Sequence, residues 1–434
     1  MNTRALRVAA IRKAVPRGWI GPVALALLAY AGAIKNSPLL AWVPIDLTML
    51  LAVIVVAAIL HSGLSLGPPP PSIVWPLSLF AIFLLGAFNP QLSGYPFSKI
   101  LALFTFTAVA VIAPFFLLRT EDQRRLFVGT LAALALSVAV VIFVNPGAVG
   151  SSTNVVTLEG TNTISTARML ATGVVIFIIL AMVGGSRTQR RLGYGVLGAG
   201  LVLSALSTGS RGPFLAVGIA VFAIIVSAPA LRANRLPALL TSGLLVIVAL
   251  LAASASGGDG VSRVFGLLSG GVDNSVRVRG IFLGEAIGKV AETPLGIGWG
   301  NFIQLSDMSL YAKGGDRLYP HNLIVEITLE AGWIAGVVVT VFMVASILRA
   351  RRAAATPVPA VLFGLLIFAV VNALTSGDVN DNRSMWMLLS AAWVVPLPPA
   401  QRLYADLHPA LRGSYRLLAR DLGSLPLNAP LSAR

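Results

Sequence analysis

Long apolar stretches separated by short polar connections make up most of this chain of 434 residues. About twelve of them are long enough, or nearly so, to cross a hydrocarbon layer as helices. They lie near residues 19–34, 42–60, 73–88, 99–118, 126–144, 164–184, 192–206, 212–230, 236–255, 322–348, 358–376 and 384–397. The sequence lacks the alternating polar and apolar residues of membrane β-strands. Because lipid cannot satisfy backbone hydrogen bonds, the pattern predicts an all-α polytopic membrane protein with about 12 transmembrane helices.

The composition agrees with this prediction. Hydrophobic residues make up 56% of the chain and charged residues 11%, and the mean hydropathy is +0.86. One soluble core cannot hide so much apolar surface, so the expected surroundings are a lipid bilayer. The chain has no cysteine, which excludes disulfide and thiol chemistry.

The net charge of +16 would suggest nucleic acid as the partner of a soluble protein. The basic residues, however, concentrate in the connections after every second apolar stretch. With twelve crossings, these connections share one face, which holds 21 of the 32 Lys and Arg residues but only 4 of the 16 acidic residues. This distribution follows the positive-inside rule, so we expect no nucleic acid and place both termini in the cytoplasm.

The spacing of the stretches divides the chain into three parts. Residues 1–398 form a transmembrane bundle, residues 256–320 form a large outside loop inserted in it, and residues 399–434 form a basic amphipathic tail on the cytoplasmic side. A loop of this size is usually functional or disordered. We expect this loop to be ordered and to contain a short amphipathic helix over 281–292, with Leu283, Ile287 and Val290 on its apolar side.

Glycine and proline punctuate the chain just after this predicted helix. Pro294 breaks the helix, and the segment that it opens contains three glycines up to Gly300. Because glycine has no Cβ atom, the segment is expected to let the backbone approach another part of the protein closely.

His321 is the one histidine of three that this topology places outside, since His61 and His408 lie on the cytoplasmic side. Histidine titrates nearest neutral pH, so His321 is a candidate general base. The alternative is a structural helix entry, in which Pro320 ends the loop and Asn322 caps the next helix.

Two groups of arginines reach the same predicted face. Arg211 follows Ser210 at the start of an apolar stretch, where a helix N-terminus, a hydroxyl and a guanidinium could hold a phosphate oxygen. Arg277 and Arg279 alternate in a segment that we expect to be extended, so that both could reach one anion. The alternatives are an arginine reaching up to lipid headgroups and a solvated pair in a loop.

Acidic residues complete the candidate site. Glu326 and Glu330 lie four residues apart within an apolar stretch, so they are expected to face the bundle and to pair with Arg168, Arg211 or Arg279. Asp381 and Arg383 are expected to form a structural pair that holds the last helix. A divalent cation bound by Asp378 and Asp381 is a weaker alternative, because neither a second histidine nor a dense acidic cluster accompanies them.

The order of these motifs resembles the superfamily of O-antigen ligases and O-antigen polymerases, which are bacterial inner-membrane glycosyltransferases of the GT-C type. The motifs cover about residues 200–350, and the rest of the chain agrees only in helix number and in its 381–386 segment. The resemblance rests on Ser207 to Gly212, on Arg279 fifteen residues before Pro294 to Phe302, and on His321 to Glu326 followed by Gly332 and Gly336.

The resemblance implies transfer of a glycan from undecaprenyl pyrophosphate to lipid A-core by a ligase, or to another repeat unit by a polymerase. It implies that Arg211 and Arg279 bind pyrophosphate and that His321 is the base, while Arg277 could replace Arg279. We expect an inverting, metal-independent reaction without a cofactor on the periplasmic side. A transporter or flippase is the more distant alternative on helix number alone.

Overall fold

The computed structural model describes residues 18–40, 42–88, 94–144, 156–183, 188–232, 235–240, 243, 274–305 and 318–394. The regular structure of these residues is helical, as the apolar pattern predicts. The predicted ninth crossing, 236–255, lies almost entirely outside the described residues, and the predicted tail, 399–434, lies wholly outside them.

The helices follow the apolar stretches closely. In the first half of the chain the helices of nine or more residues are α1 Ile20–Leu28, α2 Leu47–Leu66, α3 Pro71–Ala87, α4 Gly94–Leu117, α5 Glu121–Val144, α6 Thr163–Val183, α7 Thr188–Ser207 and α8 Arg211–Ser227. In the second half they are α9 Asn274–Glu292, α10 Leu323–Ala331, α11 Trp333–Ala353, α12 Pro357–Ala373 and α13 Arg383–Ala391.

Within the described residues, five helices are long and apolar enough to cross a membrane: α2, α4, α5, α6 and α11. The apolar helices α3, α8 and α12 are shorter. On α11 a stripe of apolar side chains at helical spacing is exposed, whereas Ala335, Val339 and Phe342 on its other side are buried. The exposed stripe consists of Ile334, Val337, Val341, Val344 and Leu348. Water would disfavour such a stripe, so lipid is its natural neighbour.

Helix α6 lies at the centre of the bundle and packs against α5, α7, α8 and α12. Gly173 allows this close packing. A Cβ atom at that position would lie 2.5 Å from the Cβ atom of Ala135 in α5 and 2.7 Å from Leu201 in α7. Because Gly173 has no side chain, α5, α6 and α7 can approach one another closely here.

The connections divide between two ends of the bundle, as the charge pattern predicts. At the end we call the basic end, Arg119 donates to the carbonyl of Gly67, Ser72 donates to Trp393, and the amide of Ala230 donates to Ala354. At the other end, which we call the polar end, the connections 29–46, 156–162, 208–210, 318–322 and 374–382 meet. The predicted site residues belong to the polar end.

The stretch 322–348 is two helices rather than the single one we expected. Gly332 has φ +90° and separates α10 from α11. Its backbone faces the glycine-rich segment, because the amide of Trp333 donates to Pro294 and the amide of Gly298 donates to Glu330. A Cβ atom at Gly296 would lie 2.7 Å from the Glu330 carbonyl oxygen, so the predicted close approach of this segment is confirmed.

Candidate active site

His321 adopts a backbone conformation that side chains rarely tolerate. Its φ is +58°, and among the described residues it is the one non-glycine residue with positive φ. Asn322 begins α10 immediately afterwards and accepts a hydrogen bond from the amide of Val325 at 3.2 Å, so the predicted cap is confirmed. Left-handed backbone costs on the order of 1–3 kcal/mol and is concentrated at functional sites.

Aromatic rings and one cation surround the imidazole of His321. Its ring lies 4.4 Å from the ring of Tyr319 and stacks on Phe282 with 6.0 Å between centroids. The Nδ1 atom is buried and has no hydrogen-bond partner in the described part of the chain. Burial of the ring and, second, the positive charge of Arg279 lower the pKa of His321 to about 4. The imidazole is therefore neutral at physiological pH and able to accept a proton.

The structure separates Arg277 from Arg279. Both lie inside α9, which begins at Asn274, so the predicted extended segment is wrong. Residues two apart in a helix are rotated by about 200°, so these two side chains point to different sides. Arg277 is exposed, whereas Arg279 is half-buried and close enough to His321 to affect its pKa.

The buried side of α9 also differs from the prediction. Phe282 and Ala286 pack against Phe302 and Leu329, while Ile287 is exposed. The helix starts two turns earlier than expected, and its buried face contacts α10 through Phe282 and Ala286, with the predicted Val290 partly buried beside them.

Arg211 is the first residue of α8, and Ser210 before it has extended backbone without a side-chain cap. The Nη1 atom of Arg211 is buried and has no partner among the described residues. A Cβ atom at Gly212 would lie 3.8 Å from Thr375, and Asn322 donates to the carbonyl of Leu374 at 3.2 Å. The start of α8 therefore meets the 374–382 connection next to the residue that follows His321.

Arg168 also lies at the polar end, although the sequence predicts it only as a possible partner of the glutamates. It lies in the second turn of α6 and donates to the carbonyl oxygens of Ser376, at 2.8 Å, and Asn372, at 3.2 Å. It is also close enough to Arg279 for their charges to repel. An arginine inside an apolar stretch was the signal available in the sequence.

A cavity of about 830 Å³ opens at the polar end beside Tyr319. Its charged lining residues are Lys35, Asp46, Lys99, Arg168, Asp378, Asp381 and Arg383. The side chain of Asp381 is exposed in it, although protein surrounds the group. Desolvation by that protein, followed by the charge of Asp378, raises the pKa of Asp381 to about 6.

Asp381 and Arg383 interact electrostatically but form no direct ion pair in the described structure, so the predicted structural pair is wrong. The guanidinium of Arg383 lies over the ring of Phe106, 5.7 Å from its centroid. Asp378 accepts hydrogen bonds from Tyr95 and from the amides of Asn380 and Asp381. Both of its carboxylate oxygens are therefore used in shaping the connection.

Glu326 and Glu330 face the bundle as predicted, but their partner is different. Both pair with Lys99 of α4, at 2.6 Å each, and not with an arginine. Lys99 lies more than 200 positions away in the sequence. Helical spacing therefore predicts that the two glutamates share a face of the helix, but it does not predict which cation pairs with them.

These features define the class of protein: a helical membrane protein with ionisable side chains gathered beside a cavity at one end of its bundle. Residues 196–340 match the family model described as O-antigen ligase. The match supports the O-antigen ligase superfamily and confirms the resemblance found in the sequence. The matched segment contains Arg211, Arg279 and His321 but not Lys99 or Arg168. No curated protein matches the chain.

Proposed function

We propose that this protein is an O-antigen ligase. It transfers a glycan from undecaprenyl pyrophosphate to lipid A-core at the periplasmic face of the bacterial inner membrane. The family match supports a glycosyltransferase-like membrane enzyme that acts on lipid-linked substrates. In this proposal both termini are cytoplasmic, and the polar end with the loop 256–320 faces the periplasm.

The proposed reaction is a direct displacement. Neutral His321 accepts the proton of an acceptor hydroxyl, whose oxygen attacks the anomeric carbon of the donor sugar. The bond from that carbon to the pyrophosphate oxygen breaks, and undecaprenyl pyrophosphate leaves with the bonding electrons. Attack opposite to the leaving group inverts the anomeric centre.

Arginines supply the charge stabilisation in this step. The leaving oxygen gains negative charge as its bond breaks, and Arg211 and Arg279 are the residues proposed to hold the pyrophosphate. Ser210 and the free amides at the start of α8 add further donors. The negative charge of the donor also favours the protonated imidazole, so donor binding raises the pKa of His321 from its value in the empty site.

The cavity at the polar end is assigned to the acceptor glycan. Its volume of about 830 Å³ suits an oligosaccharide segment, and its lining offers both cations and carboxylates to hydroxyl groups. Tyr319 lines this cavity and also contacts the ring of His321. A hydroxyl bound beside Tyr319 would therefore approach the proposed base.

The single observation that carries the proposal is the state of His321. A histidine in left-handed backbone, half-buried, neutral and beside Arg279 and a polar cavity is costly as a simple helix entry. The cap at this position is supplied by Asn322 instead. His321 is thus free for chemistry.

The test compares His321→Ala and Arg279→Ala with Arg277→Ala, a matched control two residues away on the exposed side of α9. We expect capping of lipid A-core in membranes to fall roughly 100-fold or more in the first two variants. The control should keep near wild-type capping. Normal capping in both site variants, at equal protein levels, would contradict the proposal.

Metal independence belongs to the same proposal, because arginines take the place of a divalent cation at the pyrophosphate. Transfer by purified protein should continue after treatment with EDTA. Loss of transfer that added Mg²⁺ restores would show that a metal ion is required.

An O-antigen polymerase is the second candidate, since the matched superfamily includes both activities. The two differ in what accumulates after deletion. Loss of a ligase leaves long chains on the lipid carrier, whereas loss of a polymerase leaves single repeat units on the core. The second pattern would replace the ligase proposal with the polymerase one.

A further inference from the structure

Lys99 of α4 is one of the most enclosed charged groups of the described structure. Its Nζ atom lies 2.6 Å from Oε1 of Glu326 and 2.6 Å from Oε2 of Glu330. All three side chains have 0% exposure. The ring centroids of Tyr95 and Trp299 lie 5.7 and 5.8 Å from the ammonium. We call Lys99, Glu326 and Glu330 the Lys99 triad.

The charges of the Lys99 triad do not balance if both carboxyl groups are ionised. One ammonium then faces two carboxylates, and one negative charge stays uncompensated away from water. The other titratable groups facing the triad are Tyr95 of α4 and Asp378 of the 374–382 connection, and neither adds positive charge. Oε2 of Glu326 and Oε1 of Glu330 are buried without a hydrogen-bond partner in the described residues. One proton on either glutamate removes the excess charge of Lys99, Glu326 and Glu330 themselves, whereas the carboxylate of Asp378 has its own donors in Tyr95 and the amides of Asn380 and Asp381.

The Lys99 triad also joins segments that carry the site. Oε1 of Glu326 accepts the amide of Val379 at 3.2 Å, and the carbonyl of Lys99 accepts the side chain of Asn380 at 3.0 Å. Both contacts fix the connection that carries Asp381 into the cavity. Oε2 of Glu330 accepts the amide of Gly300 at 3.0 Å, which fixes the glycine-rich segment.

Helix α10 links the triad to the proposed base. It begins at Leu323, directly after His321 and its cap, and its next two turns carry Glu326 and Glu330. A shift of α10 relative to α4 would therefore move His321 relative to Asp381. Lys99 and the two glutamates come from parts of the chain more than 200 residues apart, and only the glutamates lie in the matched family segment.

We propose that the Lys99 triad is an electrically neutral joint that holds a single proton on its two glutamates, and that Lys99 is a positioning residue for glycan transfer. The second part rests on the proposed function, whereas the first part is independent of it. The experiment therefore measures both thermal unfolding of the full-length protein in detergent and transfer kinetics.

Thermal unfolding tests the charge state through matched variants. Glu330→Gln keeps the triad neutral, so its Tm should stay within a few degrees of wild type. Glu326→Gln combined with Glu330→Gln leaves Lys99 uncompensated, and Lys99→Met leaves two glutamates without a cation. Each of these should lower Tm by roughly 5 °C or more. The triple variant, with all three groups neutral, should regain most of the loss.

Lys289→Met is the control for loss of a lysine, because Lys289 pairs with Glu292 at the surface at 2.7 Å. It should change Tm little. A Tm loss for Glu330→Gln as large as that of the double glutamine variant would overturn the single-proton joint. A Lys99→Met protein as stable as wild type would overturn it as well.

Transfer kinetics test positioning. Lys99→Met should lower kcat at least tenfold while the donor KM changes less than threefold, because the arginines that hold pyrophosphate remain. The triple variant should recover most of kcat. Unchanged kcat in Lys99→Met, or a loss that appears wholly in KM, would overturn the positioning role. Absence of transfer in the wild-type protein would instead refute the proposed function and with it the positioning role, while the Tm series would still decide whether the triad holds a single proton.

Discussion

Arginines at the two ends of the bundle use their donors differently. At the basic end, Arg119 donates to the carbonyls of Gly67 and Pro68, at 2.9 and 2.8 Å. Arg124 donates to Leu118 at 3.0 Å and to Val394 at 2.7 Å. These buried guanidinium groups cross-link the ends of helices, which is a structural use.

At the polar end Arg168 also donates to backbone carbonyls, but several buried polar atoms have no protein partner in the described residues. Nη1 of Arg211 and Nε of Arg383 are buried without a hydrogen bond in the described residues, as is Nδ1 of His321. Buried polar atoms of this kind are rare and destabilising, so each needs an explanation. The two ends therefore differ in whether the protein satisfies the buried donors of its arginines. Those that it leaves unsatisfied are the candidates for binding an anion.

The largest expected effect on transfer and on Tm comes from replacing one arginine at each end by alanine. Arg211→Ala should lower glycan transfer roughly 100- to 1,000-fold with little change in Tm, because its guanidinium is proposed to bind the pyrophosphate. Arg124→Ala should lower Tm clearly, because it removes buried cross-links, while folded protein keeps its activity. A large Tm loss in Arg211→Ala with normal transfer would erase the difference between the two ends.

A smaller effect is expected at Gly377, around which the polar-end groups are arranged. Its φ is +82°, and a Cβ atom there would lie 3.3 Å from Nη1 of Arg168 and 3.3 Å from Cβ of Asp381. Gly377→Ala should cost about 1–3 kcal/mol of stability and reduce transfer by displacing the cavity wall. Gly200→Ala, in open space on α7, is the control and should change neither measurement substantially. Wild-type unfolding and transfer in Gly377→Ala would show that the wall is not constrained as described.

The pH dependence sharpens the role assigned to His321. A base works in its deprotonated form, so kcat/KM should be steady near neutrality and fall only as pH drops toward the lowered pKa of about 4. Arg279→Gln removes a repelling charge, so the acid limb should move to higher pH. The acid limb is measured from kcat/KM against pH in both proteins. An identical acid limb would indicate that Arg279 does not act on the base.

The smallest effect is expected for an exposed arginine at the basic end. Arg349 donates to the carbonyl of Ala392 at 3.0 Å and lies 5.1 Å from the ring centroid of Trp393. Exposed interactions of this type contribute about 1 kcal/mol or less. Arg349→Ala should therefore shift Tm only slightly and leave transfer unchanged. A major loss of transfer would place part of the site at the wrong end.

The helices could be predicted because lipid imposes a minimum apolar length, and most described helices fall on the expected stretches. The break at Gly332 was missed, since a glycine inside an apolar run does not show whether its φ is positive. Local signals also gave the cap at Asn322 and the close backbone approach near Gly296. The cap depends on residues that are near one another in sequence, and the close approach depends on a glycine that has no side chain.

Long-range pairing could not be predicted. The spacing of Glu326 and Glu330 fixed their common face, but Lys99 comes from a distant helix. Arg277 and Arg279 were expected to share one direction, because alternate residues of an extended segment point the same way. That segment is instead helical and packs against α10, and it is Arg279 that lies close enough to His321 to affect its pKa.

Binding of the lipid-linked donor at the polar end is measured as the affinity of purified protein for undecaprenyl pyrophosphate in the absence of acceptor. We expect Arg211→Ala and Arg279→Ala each to weaken binding at least tenfold, whereas Arg277→Ala and Arg349→Ala should bind as wild type does. Equal affinity in all five proteins would contradict the assignment of the polar end to the lipid-linked donor.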